Sequence, residues 1–290
     1  QVNALYPEKP IWDVAGLPGV TGHELVSQLQ KQLAVAPVDQ FTNETVEDVV
    51  KEADGIFTFK SAGRVSHSRA IVIALGNGAF KPRKLALDGA DEVEGNQLHY
   101  FVTHRDDFAD KRVAVLGGGN SAIDIALMLE PIAKQVSLVH RRDQFRGMEH
   151  SVSLLKQSSV DLVTPFLPKE LQVEDDQSVT LKLKKMRSDE MTNLNVDRIV
   201  VNYGFTSNNA AIDQWSLNLA AERNLIKVDS TMQTNIENVY AIGDGITYPG
   251  KTALIATAFG EAPTAITALA KKLYPTKRLA THSSSMKIGK

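Results

Sequence analysis

A glycine-rich run at residues 117–122 is the feature of this 290-residue chain whose spacing best fits binding chemistry. It has the pattern G-x-G-x-x-A, follows an apolar stretch at residues 113–116, and precedes apolar residues at helical spacing. A strand–turn–helix of this kind holds the pyrophosphate of a dinucleotide at the helix N-terminus. Glycine-rich turns alone are common, but this context favours nucleotide binding. The residues predicted to surround the pyrophosphate are Gly117, Gly119, Asn120, Ser121 and Ala122.

Basic residues follow the next apolar stretch, residues 136–139, in a segment that we call the arginine loop, residues 140–146. A site for NAD usually has an acidic residue about 20 positions after the glycines, which bonds the ribose 2′-hydroxyl. Guanidinium groups pair instead with a 2′-phosphate, which a carboxylate would repel. The loop therefore predicts NADP(H), and its place in the βαβ pattern disfavours a merely solvated basic loop. Arg141, Arg142 and Arg146 are predicted to contact this phosphate, and His140 is predicted to bind NADPH with them.

A second candidate site lies near the C-terminal end, where an apolar stretch at residues 238–242 runs into Gly243, Asp244 and Gly245. A long apolar segment with helical spacing opens at Thr252. Asp244 is suited to accept a hydrogen bond from a ribityl hydroxyl, and the helix N-terminus is suited to face flavin carbonyl groups. On spacing alone, a simple strand–turn–helix joint with Asp244 near the cap explains these residues equally well.

These motifs, with the Ala-Leu-Gly run at residues 74–76 and the Lys-Pro-Arg run at 81–83, resemble the two-dinucleotide-domain flavoprotein reductases of the thioredoxin reductase type. Within that group the chain is most similar to the ferredoxin/flavodoxin–NADP reductase branch (type 2). The resemblance covers essentially the whole chain. It implies an α/β fold class with two Rossmann-like domains, FAD and NADPH as cofactors, and ferredoxin or flavodoxin as the electron acceptor.

The resemblance also implies a domain division and an oligomeric state. Residues 1–98 plus 228–290 would form the FAD-binding domain, and residues 99–227 would form an NADPH-binding domain inserted in it. The family's own first βαβ unit, which cradles the FAD pyrophosphate, has no counterpart after Gln1. We therefore expect a further segment of roughly 30–40 residues upstream. The branch implies a homodimer, because its C-terminal tail folds over the flavin, often with a partner subunit.

Other FAD contacts are implied by the resemblance alone. Gln1 and Tyr6 would lie beside the isoalloxazine, Val46 would present its backbone to the adenine, and Phe80 would lie against the flavin. His282, with Ser284 or Ser285, would cover the other face of the ring. Without the resemblance, core packing explains Tyr6 and Phe80 equally well, and a polar tail of this kind is more often disordered.

One departure from the family decides the branch. Thioredoxin reductases carry two cysteines just before the NADPH glycines, and this chain has none anywhere. Phe101 and His104 stand in the matching places, in the run Tyr-Phe-Val-Thr-His. Neither side chain forms a disulfide, so electrons must leave the flavin directly. We interpret His104 as an ordinary surface histidine.

The elements needed to position these residues alternate along the chain. The patterns predict helices that start at Thr21 and cover residues 120–129, 149–157 and 252–273. They predict strands at residues 44–50, 55–60, 70–75, 113–116, 136–139, 160–163, 179–184, 198–201 and 238–242. The polar segment 88–97 is predicted to be a linker. Alternation of strands and helices favours parallel α/β sheets.

Composition excludes several other classes of function. A net charge of −2 gives no reason to expect nucleic acid or an anionic membrane as a partner, and no apolar run reaches the length of a membrane span. Histidines show no metal-ligand spacing and no nucleophile motif is present. A cytoplasmic location fits the lack of cysteine. The remaining alternatives are an NADPH-dependent flavin, quinone or iron reductase of the diaphorase kind, and an NADP(H)-binding protein without FAD.

Overall fold

The structure is a computed structural model that describes residues 1–76, 78–208, 212 and 214–279. Its helices are α1 (Val2–Leu5), α2 (Gly22–Leu33), α3 (Asn120–Leu129), α4 (Glu149–Gln157) and α5 (Ile255–Leu273). Its strands are β1 (Pro10–Ile11), β2 (Val20–Thr21), β3 (Val46–Lys51), β4 (Phe57–Ser61), β5 (Arg64–Ser68), β6 (Ile71–Ile73), β7 (Ala79–Pro82), β8 (Leu98–His99), β9 (Arg112–Leu116), β10 (Gln135–Val139), β11 (Asp161–Val163), β12 (Phe166–Val173), β13 (Val179–Lys185), β14 (Met191–Val196), β15 (Arg198–Val201), β16 (Phe205–Asn208), β17 (Ala221–Glu222), β18 (Leu225–Lys227), β19 (Val239–Ala241) and β20 (Ile246–Thr247). No helix within these described ranges is long and apolar enough to cross a membrane.

The described chain divides into two compact units. Unit 1 comprises Gln1–Pro10, Val20–Val26 and Lys81–Thr206, and unit 2 comprises the described residues of Ile11–Gly19, Ser27–Phe80 and Ser207–Lys290. The predicted domain limits at residues 98 and 228 separate the segments expected to bind FAD from the segment expected to bind NADPH. They stay a prediction. The compact units change instead within β7 and β16.

Unit 1 is built on a parallel five-stranded sheet with the order β11-β10-β9-β15-β8. From β9 the chain moves outward through β10 to β11 and then returns to the other side of β9 as β15. The strand order therefore reverses at β9, and in open α/β sheets the crevice at such a point receives the ligand. The glycine run leaves the carboxyl end of β9, directly at this crevice.

The two faces of this sheet are covered differently. Val113 and Val115 point to one side, where they pack with Ile123 and Ala126 of α3. Ala114 and Leu116 alternate to the other side, as the pleat of a strand requires. There they meet the antiparallel sheet of β12, β13 and β14, whose Leu181 and Leu183 are fully buried. Unit 1 therefore has three layers: helices, parallel sheet and antiparallel sheet.

Unit 2 combines several small sheets around one apolar core. Strands β3, β4 and β5 form an antiparallel sheet, β6 pairs in parallel with β19, and β17, β18 and β20 form a third sheet. Val49, Phe57, Tyr240, Ile246 and Ala265 of α5 are buried in the same cluster. The parallel pair sets the end of β6 beside the end of β19, which brings the turns after the two strands together.

Most predicted elements are present, and three corrections follow. The helix from Thr21 begins as its capping box requires: Thr21 N–H donates to Glu24 Oε2 at 2.9 Å and Glu24 N–H donates to Thr21 Oγ1 at 3.2 Å. The patterns did not predict β5, β12 and β14, nor the short strands β1, β2, β7, β8, β16, β17, β18 and β20. Strand β12 carries a bulge beside Pro168, and β14 is largely polar. The predicted last helix starts three residues late, at Ile255. Segment 88–97 is not a linker, since it folds into turns that bury Ala90 and Val93 in unit 1.

Candidate functional site

The first glycine of the run is required by the packing of unit 1. Gly117 has φ +154°, and a Cβ there would lie 2.6 Å from the carbonyl oxygen of Asn202 and 2.9 Å from Cβ of Ala122. Asn202 follows β15 and donates its backbone N–H to the Leu116 carbonyl at 2.7 Å. The turn that contains Gly117 therefore packs closely against both α3 and the end of β15. This packing places the turn in the crevice where the strand order reverses.

Gly118 is required for a different reason, which sequence reasoning missed. A Cβ at Gly118 would lie 2.4 Å from three atoms of the His140 imidazole, so that ring lies over the glycine backbone. At Gly119 the space is open, since the nearest atom to a Cβ would be the Arg146 carbonyl oxygen at 3.9 Å. Gly119 is the N-cap residue of α3 and has no side chain to shield the free N–H groups of that helix. An anion therefore has room to approach the helix N-terminus.

The arginine loop and the two residues after it are fastened to the glycine run by hydrogen bonds and close packing. Arg146 N–H donates to the Gly118 carbonyl at 2.7 Å, and Met148 N–H donates to Asn120 Oδ1 at 2.7 Å. A Cβ at Gly147 would lie 2.4 Å from Ile123 Cδ1, which shows how closely the loop lies on α3. The position of the loop relative to the helix N-terminus is thus fixed by the fold.

The cationic side chains of this loop are available to a ligand. Arg141, Arg142 and Arg146 are exposed, and none of them forms an ion pair with a carboxylate in the described part of the chain. Ser121, in the first turn of α3, is exposed as well. The structure therefore brings the residues predicted for NADPH together in unit 1, at the N-terminal end of α3 and in the arginine loop beside it.

Two polar atoms at this site lack partners among the described residues. His140 Nε2 and Asn202 Nδ2 are buried without a hydrogen bond. Burial, together with the charges of Arg141, Arg142 and Arg146, lowers the pKa of His140, so the ring is neutral at neutral pH. A buried polar group without a partner costs about 1–3 kcal/mol, and a polar ligand can supply the missing bonds. Both atoms flank the glycine run, so the residues present fit a nucleotide.

The second candidate site lies in unit 2, at the turn after β19. Gly243 has φ +82°, and a Cβ at Gly245 would lie 2.6 Å from the Gly76 carbonyl oxygen. Gly76 belongs to the turn after β6, so the parallel pair β6–β19 brings the two turns into contact. Asp244 is half-buried, and α5 begins at Ile255 without a side-chain cap. These residues fit a bound flavin: a carboxylate on a tight turn beside an uncapped helix N-terminus.

A buried carboxylate supports this turn, and sequence reasoning did not single it out. Glu261 on α5 is 3% exposed and accepts a hydrogen bond from Gly243 N–H at 2.7 Å. The sequence did contain a signal for it, since Glu261 is a glutamate in an otherwise apolar helical segment. A glutamate is buried in such a segment only when it has partners.

The other residues predicted for FAD are not all in one unit. Gln1, the N-cap residue of α1, and Tyr6 belong to unit 1, whereas Val46 and Asp244 belong to unit 2. The Val46 carbonyl accepts a hydrogen bond from the Trp215 indole at 3.1 Å. The side chain of Phe80 in β7 lies outside the described part of the chain, as do residues His282, Ser284 and Ser285.

The segment in the place of the family's cysteines is part of the fold of unit 1. Phe101 packs beside the core under the antiparallel sheet and stacks on Phe205 of β16, with ring centroids 5.7 Å apart and planes at 13°. His104 is exposed, in agreement with its interpretation as a surface histidine. An aromatic contact therefore occupies this place.

A parallel sheet with a glycine turn at its reversal point and arginines at the next strand defines a dinucleotide-binding protein of the α/β class. Residues 7–266 match the family described as pyridine nucleotide-disulphide oxidoreductase, and the chain belongs to that family. It is 74% identical to a "Ferredoxin--NADP reductase" of Limosilactobacillus reuteri over 290 residues, all of this chain and 87% of the relative. It is 50% identical to one of Lactiplantibacillus plantarum, over 99% of this chain and 86% of the relative.

Solved structures support the same fold. Thioredoxin reductase of Lactococcus lactis matches with a TM-score of 0.76 at 23% identity, over 95% of this chain and 88% of that one. Thioredoxin reductase of T. acidophilum matches with a TM-score of 0.77 at 23% identity, over 94% and 86%. The expected fold class, with two Rossmann-like domains of the thioredoxin reductase type, is confirmed.

Proposed function

We propose that this chain is a flavin-dependent oxidoreductase that passes electrons from NADPH through FAD to ferredoxin, as a ferredoxin–NADP+ reductase does. The observation that carries the proposal is the glycine run fastened to a loop with three exposed arginines, in a chain without cysteine. Similarity over the whole of this chain to proteins named ferredoxin--NADP reductase supports the choice of acceptor. Flavodoxin is an acceptor of the same acidic, one-electron class and belongs to the proposal as well.

In this proposal the NADPH site is the crevice of unit 1. Gly117, Gly119 and Ala122 shape the turn, while Asn120 and Ser121 belong to the first turn of α3, whose free N–H groups face the pyrophosphate. Arg141 and Arg142 hold the 2′-phosphate by charge-assisted bonds, and Arg146 closes over it. His140 and its neighbours orient the adenosine ribose.

The FAD site in this proposal is assembled around Asp244, which accepts a hydrogen bond from the ribityl chain. Val46 presents its backbone to the adenine, and the N-terminus of α5 faces the flavin carbonyl groups. From the resemblance we also expect Gln1, Tyr6, Phe80, His282 and Ser285 to contribute to FAD binding. When bound, FAD would supply the chemistry that connects a two-electron hydride donor to a one-electron acceptor. No side-chain nucleophile or base is required, so the protein's part is to bind, orient and exclude water.

Three further parts of the proposal concern organisation. Residues 1–98 plus 228–290 form the FAD-binding domain and residues 99–227 the NADPH-binding domain. The protein is a homodimer that works in the cytoplasm. Hydrogen exchange tests the division: NADPH should protect amides in residues 117–123, and FAD should protect those in residues 243–247. Protection of both segments by one nucleotide alone would contradict it.

The visible spectrum of the purified full-length protein, including any residues that precede Gln1, tests the flavin, and a carrier assay tests the acceptor. A flavin absorption band and NADPH-dependent cytochrome c reduction that requires added ferredoxin are the expected results. Equal reduction of quinones, dyes or iron without a carrier would favour a diaphorase-like reductase instead. A colourless protein that still binds NADPH would leave only the nucleotide-binding protein without FAD.

A further inference from the structure

A buried ion pair lies directly behind the turn that carries Asp244. Glu261 is 3% exposed and the side chain of Lys251 is 8% exposed, and their Oε1 and Nζ atoms are 2.5 Å apart. The other ion pairs among the described residues are far more accessible to water. This pair belongs to unit 2 and joins the segment before α5 to the middle of that helix.

The carboxylate of Glu261 is fully occupied by donors. Its Oε2 accepts from Gly243 N–H at 2.7 Å, and its Oε1 accepts from the Tyr248 hydroxyl at 2.9 Å as well as from Lys251. Burial alone raises the pKa of Glu261, but the bonds from Lys251, Gly243 and Tyr248 outweigh burial and leave the pKa lowered. The group is therefore an anion at neutral pH.

A gain in folding stability does not by itself explain a buried ion pair. Desolvation of two charges often exceeds their mutual attraction, and apolar residues of similar volume usually serve a core as well. The effect of this pair is on position: Glu261 holds the Gly243 amide, at φ +82°, at a defined point on α5. The turn with Asp244 and the N-terminal part of the helix are thereby held in one geometry, although they are separate in sequence.

We propose that Glu261, paired with Lys251, is a positioning residue for the flavin. It holds the Asp244 turn and the N-terminus of α5 in one geometry, so that both bind the same FAD molecule. Its carboxylate also neutralises the charge of Lys251 behind that site. The inference rests on the proposed FAD site. Loss of Glu261 alone leaves the buried Lys251 cation without a counter-charge. That cation favours the reduced flavin, which carries more negative charge than the oxidised form.

The test measures FAD affinity and flavin midpoint potential in the purified FAD-loaded protein. Glu261→Gln should weaken FAD binding at least tenfold and raise the midpoint potential. The double variant Glu261→Gln with Lys251→Met has no unpaired charge to prevent folding; it should keep the weakened binding but return the potential to the wild-type value. Glu237→Gln is the matched control, because it breaks an exposed ion pair with Lys272 in the last turn of the same helix.

The outcomes separate the two proposals. Wild-type protein without a flavin spectrum contradicts the proposed function itself. FAD affinity of the double variant within twofold of the Glu237→Gln control contradicts the positioning role, even if thermal stability falls. A raised potential in Glu261→Gln that persists in the double variant also overturns it, because the unpaired lysine would then not be the cause.

Discussion

At the scale of single residues, the three neighbouring glycines of the run are each explained by different surroundings. Gly117 is excluded from carrying a Cβ by Asn202 and Ala122, and Gly118 by the imidazole of His140. Gly119 has open space around it, which a ligand can use. The pattern G-x-G-x-x-A includes Gly117 and Gly119 but does not explain Gly118. The packing of Gly118 against His140 nevertheless joins the turn to the arginine loop.

Replacing the arginine pair tests the choice of nucleotide. Arg141→Ala with Arg142→Ala should lower kcat/KM for NADPH far more than for NADH, because only NADPH has the 2′-phosphate. Each lost charged contact should cost about 1.5–3 kcal/mol, roughly tenfold to a hundredfold in kcat/KM. Lys169→Ala, which removes an exposed cation elsewhere in unit 1, is the control. Equal losses with both nucleotides would refute the phosphate assignment.

Substitution of Gly118 tests the contact with His140. A Cβ at Gly118 must displace the imidazole, so Gly118→Ala should destabilise the protein by about 1–3 kcal/mol, as overpacking does. Gly119→Ala should leave thermal stability nearly unchanged, because its Cβ meets no atom closer than 3.9 Å. Adding His140→Ala to Gly118→Ala should restore part of the lost stability. If the double variant is no more stable than Gly118→Ala, the contact is not the source of the strain.

At the scale of elements, the antiparallel sheet of unit 1 replaces a layer of helices. It covers the face of the parallel sheet that carries Ala114 and Leu116, while α3 and α4 cover the other. The crevice at the end of β9 depends on this sheet, because Leu116 and Val201, at the ends of β9 and β15, belong to the core beneath it. The sheet also contacts the site directly, since the backbone N–H of Phe166 in β12 donates to the His140 carbonyl at 3.0 Å.

Truncation within this sheet should weaken unit 1 substantially. Leu181 is fully buried between the two sheets, so Leu181→Ala should cost about 2–5 kcal/mol of unfolding free energy. Val173→Ala is the matched control, because Val173 lies in the same sheet and is 41% exposed. Chemical denaturation monitored by circular dichroism gives both values. Similar losses in the two variants would show that the sheet does not share the core.

At the scale of the whole molecule, two histidines connect folding to pH. Burial lowers the pKa of His99, and burial with three neighbouring arginines lowers the pKa of His140. The unfolded chain takes up these protons near pH 6.5, and the folded chain only at lower pH. Between those values the unfolded state holds more protons, so the unfolding free energy falls as pH falls.

Unfolding measured from pH 7.5 to pH 5 should therefore show decreasing stability, with proton uptake that approaches one per histidine. His99→Gln should flatten this dependence, because it removes one of the two groups. His104→Gln is the matched control, since His104 is exposed in the folded protein. A dependence that is unchanged in His99→Gln would contradict the role of that side chain.

The sequence by itself determined the local units and their chemistry. Helix α3, the turn before it and the capping box at Thr21 depend on near neighbours, and the arginines after β10 identify the nucleotide by charge alone. These signals are short-range, so they survive in a linear pattern. Polar strand β14 and bulged strand β12 gave no such signal, because each is held in place by its pairing with β13 and not by a pattern of its own.

Only the tertiary structure decided which distant residues meet. Gly118 lies under His140, Asn202 lies against Gly117, and Glu261 bonds Gly243 across the space between a helix and a turn. It also set Gln1 and Tyr6 in a different compact unit from Asp244. Such contacts arise from strand order and from burial of polar groups, which select their partners in space and leave no fixed spacing along the chain.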